Sequence, residues 1–330
     1  MKRSFATNEP VFMIGHGSSG TSILATLLRE QFGIAFGTES QFIVDYHKRL
    51  HRYGDLDDER NLRHLVSHIL SERFFRRSAK FGFRTDVKSI LGCMQERSYR
   101  GVLEAVFGEF ARQLGMSRWG DKTPAYNRNL DVIGTLFPNA RYLHMIRDGR
   151  DVALSVFRRY WGHKNVYMAA TDWRDEIDMI DRFVETLPPD RILEVKYEEL
   201  LSEPVDTMRR LAKFLGLSDP DGSILTEIER TVPGRLDRAN FDKWRQEWPS
   251  SRRLAYERIA CDQLRRHGYE TVLDTPAVEA GAIARAFWYC DDKLKKWTYA
   301  DYWRDNAYKA RWHGRNALRA LTARRTLDVR

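Results

Sequence analysis

The segment Gly15-His16-Gly17-Ser18-Ser19-Gly20-Thr21-Ser22 constrains this chain more than any other stretch. It follows Val11-Phe12-Met13-Ile14, a continuous apolar run of the kind buried on both faces of a parallel sheet. It precedes Ile23, Leu24, Leu27 and Leu28, which fall on one face of a helix. Strand, glycine-rich turn and amphipathic helix open a phosphate-binding α/β unit. The glycines let the backbone curl so that successive N–H groups face inward, and the helix adds the positive end of its dipole. The alternative is a Gly/Ser turn with only a structural role, and the flanking elements argue against it.

Set beside the nucleotide-binding pattern G-x-x-x-x-G-K-[ST], the loop keeps both glycines and the final hydroxyl, but Thr21 replaces the lysine. Without that lysine a nucleoside triphosphate loses its main partner for the β/γ charge. The loop therefore favours a nucleotide with a single 5′-phosphate over ATP or GTP.

Further along, short strands are expected at 33–36, 140–146 and 191–195, and helices at 40–78, 129–137, 151–160 and 205–215, the last closed by Gly216. Residues 81–87 and 118–120 fit no single period. Strands alternating with helices predict an α/β fold of the P-loop NTPase-like kind, a parallel sheet flanked by helices. Residues 1–275 are expected to form this domain. Residues 276–330, nearly free of helix breakers, are expected to form a helical C-terminal extension that is basic and rich in aromatics.

A second chemical signal is the run 140–155. Arg147 stands at the carboxyl end of an expected buried strand, where ligands bind in open α/β sheets, and Ser155 lies about two turns along the next helix. A guanidinium fork and a hydroxyl converging there would hold a second phosphate. A surface network of Arg147, Asp148, Arg150 and Asp151 is the competing reading.

Taken together, these motifs resemble the PAPS-dependent sulfotransferases (PAPS is 3′-phosphoadenosine 5′-phosphosulfate), in the tyrosylprotein and glycan sulfotransferase branch. Ser19, Gly20, Thr21 and Ser22 match that family's 5′-phosphosulfate loop, and Arg147 with Ser155 match its 3′-phosphate element. Trp119-Gly120-Asp121-Lys122-Thr123-Pro124-Ala125-Tyr126 is similar to W-x-[ED]-K-[TS]-P-x-Y, and Val195-Lys196-Tyr197-Glu198-Glu199-Leu200 to [VR]-x-Y-E-x-L. The resemblance covers roughly residues 10–270 and implies a sulfotransferase with PAPS as cosubstrate and no metal. It makes Glu39, in Phe36-Gly37-Thr38-Glu39-Ser40, the general base toward an acceptor hydroxyl, and Lys122 the cation near the leaving phosphate. Gly17, Ser18, Ser19, Gly20, Thr21, Ser22, Arg147 and Ser155 become nucleotide-binding residues. Lys243 and Trp244, in a basic segment where relatives close a loop over the nucleotide, join them.

One departure stands out. Ser18 occupies a position where the family carries Arg or Lys, so either His16, Lys122 or another cation compensates, or the enzyme is slow, or the chain binds without turnover. A non-catalytic nucleotide- or glycan-binding relative and a P-loop small-molecule kinase are the alternatives. Thr21 and the lack of a clear magnesium-holding Asp count against the kinase.

The formal net charge of +9 suits an anionic partner. The expected partner is a hydroxyl-bearing acceptor (a glycan, a lipid or another metabolite), and no nucleic acid. Three sparse cysteines, Cys93, Cys261 and Cys290, fit neither a disulfide framework nor a zinc site. No run approaches the ~20 apolar residues of a membrane span, so a cytoplasmic protein is expected. The aromatics from Phe287 through Tyr308 and Trp312, interleaved with Lys and Arg, suit docking onto the chain's own domain or peripheral contact with an anionic membrane.

Overall fold

The computed structural model describes residues 3–304 together with 306, 307 and 310. Tyr308 and Trp312, and all of 311–330, lie outside the described residues.

Among the described residues seven strands occur in chain order: β1 Ser4–Phe5, β2 Val11–Ile14, β3 Ile34–Phe36, β4 Arg118–Asp121, β5 Arg141–Ile146, β6 Ile192–Lys196 and β7 Leu217–Ser218. The longer helices begin with α1 Thr21–Leu27, α2 Ile43–Arg49, α3 Glu59–Leu70, α4 Arg73–Ser78 and α5 Val87–Cys93. They continue with α6 Tyr99–Gln113, α7 Leu130–Leu136, α8 Gly149–Phe157, α9 Val166–Val184 and α10 Tyr197–Ser202. The last are α11 Pro204–Leu215, α12 Ser223–Thr231, α13 Lys243–Glu247, α14 Ser250–Arg266 and α15 Ala282–Trp297.

Five strands form one sheet in the order β3-β4-β2-β5-β6, and every ladder is parallel. Strand 118–121, unassignable from its sequence period, lies between β2 and β3 with Gly120 opposite both Val11 and Phe36. A side chain there is excluded, because a Cβ on Gly120 would come within 2.5 Å of the Phe36 ring. The expected burial of β2 on both faces is observed. Val11 and Met13 enter one apolar cluster with Leu24 and Leu28, while Phe12 and Ile14 enter another with Trp119 and Phe137. This period-two split is what a central strand requires. Arrangement and connection together are those of a P-loop α/β sheet.

The chain packs as two compact units. The first, Met1–Asp148 with Asp175–Lys243, contains the sheet. In it α11 ends on Gly216 at φ +68, as the sequence foretold, and β1 pairs with β7. The second, Gly149–Arg174 with Trp244–Arg330, carries helices and, among its described residues, no strand. Its core holds Trp173, Tyr256 and Trp248. Gly149 is obligatory there, since a Cβ would stand 2.2 Å from the Tyr256 hydroxyl and 2.6 Å from the Trp173 ring. At the centre of that unit Glu257, fully buried, receives Arg150 at 2.7 Å and Arg253 at 2.9 Å.

Candidate active site

Each expected chemical group in the first unit follows the carboxyl end of a different parallel strand. The glycine loop follows β2, Glu39 follows β3, Lys122 follows β4 and Arg147 follows β5. Parallel strands bring those ends to one edge of a sheet, which is why residues far apart in sequence converge there.

The loop departs from regular backbone at several points. Gly15 has φ +145, and a Cβ would meet the Met145 carbonyl at 2.2 Å. Gly20 has φ +92, and a Cβ would strike the Tyr197 ring at 2.3 Å. Ser18, at φ +73, adopts the left-handed region without being glycine. The turn closes with Ser19 N donating to His16 O at 3.2 Å, and α1 starts on the carbonyl of Gly20. Ser19 Oγ is buried and has no hydrogen-bond partner. A buried hydroxyl left unsatisfied costs about 1–3 kcal/mol, which a further hydrogen-bonding group at the loop would recover. Gly17 and Ser18 are part-exposed, Thr21 is buried and Ser22 exposed.

His16 is buried, with Nε2 3.4 Å from Glu176 Oε2. Asn127 Nδ2 donates both to Gly15 O and to Glu176 Oε1, each at 2.9 Å. His16, Asn127 and Glu176 thus brace the start of the loop. Asn127 stands one residue past the W-G-D-K-T-P-A-Y motif, yet nothing in its local pattern signalled this task.

Arg147 is buried against the loop. Its guanidinium donates to Ser18 O at 3.4 Å and to Asn240 O at 2.9 Å, and lies 4.4 Å from the centroid of the Tyr197 ring. Asn240 Nδ2 donates to Tyr197 Oη at 2.8 Å. The basic segment 234–243 is therefore tied to Arg147 through Asn240 rather than through Lys243. Asp148 N donates to Glu198 Oε1 at 2.9 Å, and Arg150 is wholly buried, donating to Glu257 Oε1 at 2.7 Å.

Ser155 lies on α8 and Trp244 on α13, both in the second unit. Trp244 is buried there, its ring 3.7 Å from the Arg150 guanidinium and its backbone N–H donating to Asp151 Oδ1 at 3.1 Å.

Glu39 and Lys122 meet directly. Lys122 Nζ donates to Glu39 Oε1 at 2.8 Å, and Gln41 Nε2 donates to Glu39 Oε2 at 3.1 Å. The lysine is mostly shielded and the carboxylate a third exposed. Beneath them runs a buried polar network. Ser40 N donates to Thr123 Oγ1 at 3.0 Å, Ser40 Oγ lies 2.7 Å from Tyr126 Oη, and that phenol accepts from Ile43 N at 2.9 Å. Asp121 is buried beside it, and desolvation pushes its carboxyl up to about 6 against the pull of Thr123, Ser40 and Lys122. Chemically, the edge offers a phosphate cradle, a buried guanidinium and a carboxylate paired with an ammonium.

In the second unit, the expected aromatic extension takes the form of α15. Ile283, Phe287, Cys290, Leu294 and Trp297 recur at spacings of four and three, and all are exposed. His163 lies between Asp172 and Asp292, each at 3.3 Å, and Lys296 reaches Asp292 at 2.6 Å, which docks the opposite face of α15. Among the described residues no helix is long and apolar enough to cross a membrane.

The sequence profile described as the sulfotransferase family matches residues 10–221. Protein-tyrosine sulfotransferase A of Caenorhabditis elegans is 27% identical over 175 residues, 47% of this chain and 46% of its own length. An omega-hydroxy-beta-dihydromenaquinone-9 sulfotransferase of Mycobacterium bovis is 22% identical over 255 residues, 64% of each chain. The chain thus spans less than two thirds of either relative. Among solved structures, the sulfotransferase domain from the Synechococcus PCC 7002 olefin synthase aligns with a TM-score of 0.48 at 20% identity, over 82% of this chain and 99% of that one. The chain belongs to the sulfotransferase family.

Proposed function

We propose that this member of the sulfotransferase family transfers a sulfonate group from PAPS to an acceptor hydroxyl, with Glu39 as general base. The observation that carries the reading is the 2.8 Å pair of Glu39 and Lys122 on the strand edge that also bears the glycine loop and Arg147. PAPS supplies the sulfonate, whose bond to the phosphate oxygen breaks as a bond to the acceptor oxygen forms. Gly17, Ser18, Ser19, Gly20, Thr21 and Ser22 hold the 5′-phosphate end, with Ser19 Oγ gaining the partner it lacks. Arg147 holds the 3′-phosphate, joined by Lys243 at the end of the basic segment.

Lys122 has two anionic claimants, Glu39 and the phosphate leaving group. When the ammonium turns to the phosphate it stabilises the charge that develops there and frees the Glu39 carboxylate. The freed carboxylate takes the proton of the acceptor hydroxyl as it attacks. No step calls for a metal.

The acceptor is a hydroxyl-bearing glycan, lipid or other metabolite. The exposed stripe of α15, with Lys293 and Lys295 beside it, also suits peripheral contact with an anionic bilayer at a cytoplasmic membrane face. Labelled PAPS and an acceptor panel test the main reading. Label transfer with release of adenosine 3′,5′-bisphosphate supports it. Tight binding of PAPS with no transfer to any acceptor class would favour a binding-only relative, and ATP-dependent phosphorylation would favour the kinase.

A further inference from the structure

The second unit contains a cavity of about 810 Å³, within the size range of small-molecule sites. Its walls come from α14, from the start of α9 and from α15 with the segment before it. Phe157, Tyr167, Ala255, Ile259, Val278 and Trp288 make it largely apolar. The charged residues on its lining are Lys164, Arg252, Arg258 and Lys295, and no carboxylate lines it.

These four cations are not equivalent. Lys164 donates to the carbonyls of Phe157 and Arg159 and lies 4.1 Å from the Tyr299 ring centroid. Lys295 is paired with Asp291 at 2.8 Å. Arg252 and Arg258, both exposed on α14, make no side-chain hydrogen bond or ion pair with any described residue. The wall is held in place without them. Asn165, mostly buried, donates to Trp288 O and to Asp291 Oδ2, each at 2.9 Å, and accepts from Met168 N at the start of α9. Val278 N donates to Arg258 O at 2.7 Å. A braced apolar cavity with two uncommitted guanidinium groups matches a ligand with an apolar body and one anionic group, because guanidinium forks pair with carboxylate, phosphate or sulfate.

We propose that this cavity binds an amphipathic anion, a hydrocarbon chain or aromatic body carrying one carboxylate, phosphate or sulfate, by seating the body against Ile259 and Trp288 and the charge against Arg252 and Arg258. The site is independent of sulfonate transfer. Nucleotide titration, run on the same samples, separates failure of this site from failure of the catalytic reading.

The experiment is calorimetric titration of the full chain with monomeric decanoate and with 1-decanol, using the parent, the Arg252→Gln/Arg258→Gln double variant and Ala255→Trp. One decanoate per chain is expected, bound at least ten-fold more tightly than decanol. The double variant should lose most of that preference and keep decanol binding, and Ala255→Trp should lose both ligands. Unchanged melting temperatures mark the variants as folded. If Ala255→Trp melts early, the arginine pair, being exposed, carries the test alone. Equal affinity for the two probes, no binding of either, or binding untouched by the arginine pair overturns the proposal. Phosphatidylglycerol vesicles identify the source of the ligand. Vesicle binding that falls with the arginine pair indicates a bilayer lipid, and decanoate binding with vesicle binding unchanged indicates a free amphiphile.

Discussion

Ser40 N and Thr123 Oγ1 are joined by a buried 3.0 Å hydrogen bond, one residue beyond Glu39 and one beyond Lys122. The backbone that carries Glu39 is thereby fixed to the backbone that carries Lys122. Thr123→Val should lower turnover about ten-fold and cost roughly 1 kcal/mol of stability, while affinity for adenosine 3′,5′-bisphosphate stays within about two-fold. Thr123→Ser should restore most of the turnover, which a general loss of packing would not allow. Steady-state kinetics beside a nucleotide titration read both quantities.

Glu39→Gln keeps shape and hydrogen bonding but removes basicity. Turnover should fall on the order of 10²-fold or more with nucleotide affinity nearly unchanged. An undiminished rate with a verified acceptor would exclude Glu39 as the base.

Arg147→Ala should weaken binding of adenosine 3′,5′-bisphosphate roughly ten-fold or more, since a charged hydrogen bond contributes about 1.5–3 kcal/mol. Binding of AMP should change much less. An equal loss for both nucleotides would show that Arg147 serves the loop and not a separate 3′-phosphate.

Glu257 is the buried anion between Arg150 and Arg253, and it also accepts from Val272 N at 2.8 Å. Glu257→Ala would remove the buried carboxylate that receives Arg150 and Arg253. Such losses cost about 3–5 kcal/mol, so chemical denaturation should show a large drop or an unfolded second unit.

Asp121 links stability to pH. Its carboxyl is raised to about 6 in the fold from an ordinary value of 3.8, so the folded chain holds the proton more tightly than the unfolded chain. Stability from this group is present below pH ~4 and lost as pH rises through about 6. Asp121→Asn should therefore gain stability over the parent between about pH 4 and pH 6, levelling at on the order of 1–3 kcal/mol above that. Melting curves at pH 4, 6 and 8 check the slope; a constant offset would mean that Asp121 is not protonated in the fold.

Much of the sheet unit could be read in advance because its signals are local. Val11–Ile14 is apolar without interruption, Gly216 stands where α11 must stop, and the glycines of the loop sit where Met145 and Tyr197 leave no room for a Cβ. Strand 118–121 was ambiguous for a physical reason. It is a central strand that begins with an arginine and contains a glycine shaped by Phe36, so neither alternation nor an apolar run marks it. Asn127, Glu176 and Asn240 were illegible because their partners are 112, 160 and 93 residues away, at Gly15, His16 and Arg147. Trp244 was read as a residue of a basic loop; its burial depends on Arg150 and Asp151, which no local pattern relates to it.

Arg118 gives β4 a fixed starting point. Its guanidinium is wholly buried and donates to Glu9 O at 2.5 Å and Leu215 O at 2.8 Å. Only two residues separate it from Asp121, and Lys122 follows at once. Side chains alternate along a strand, so a one-residue deletion between Arg118 and Lys122 would exchange the directions of the acid and the ammonium. An insertion in the turn before Arg118, at 114–117, would leave the anchor and everything after it in phase. Length changes should thus be tolerated ahead of this arginine and silence the enzyme behind it, which makes a single buried guanidinium the reading frame of the site.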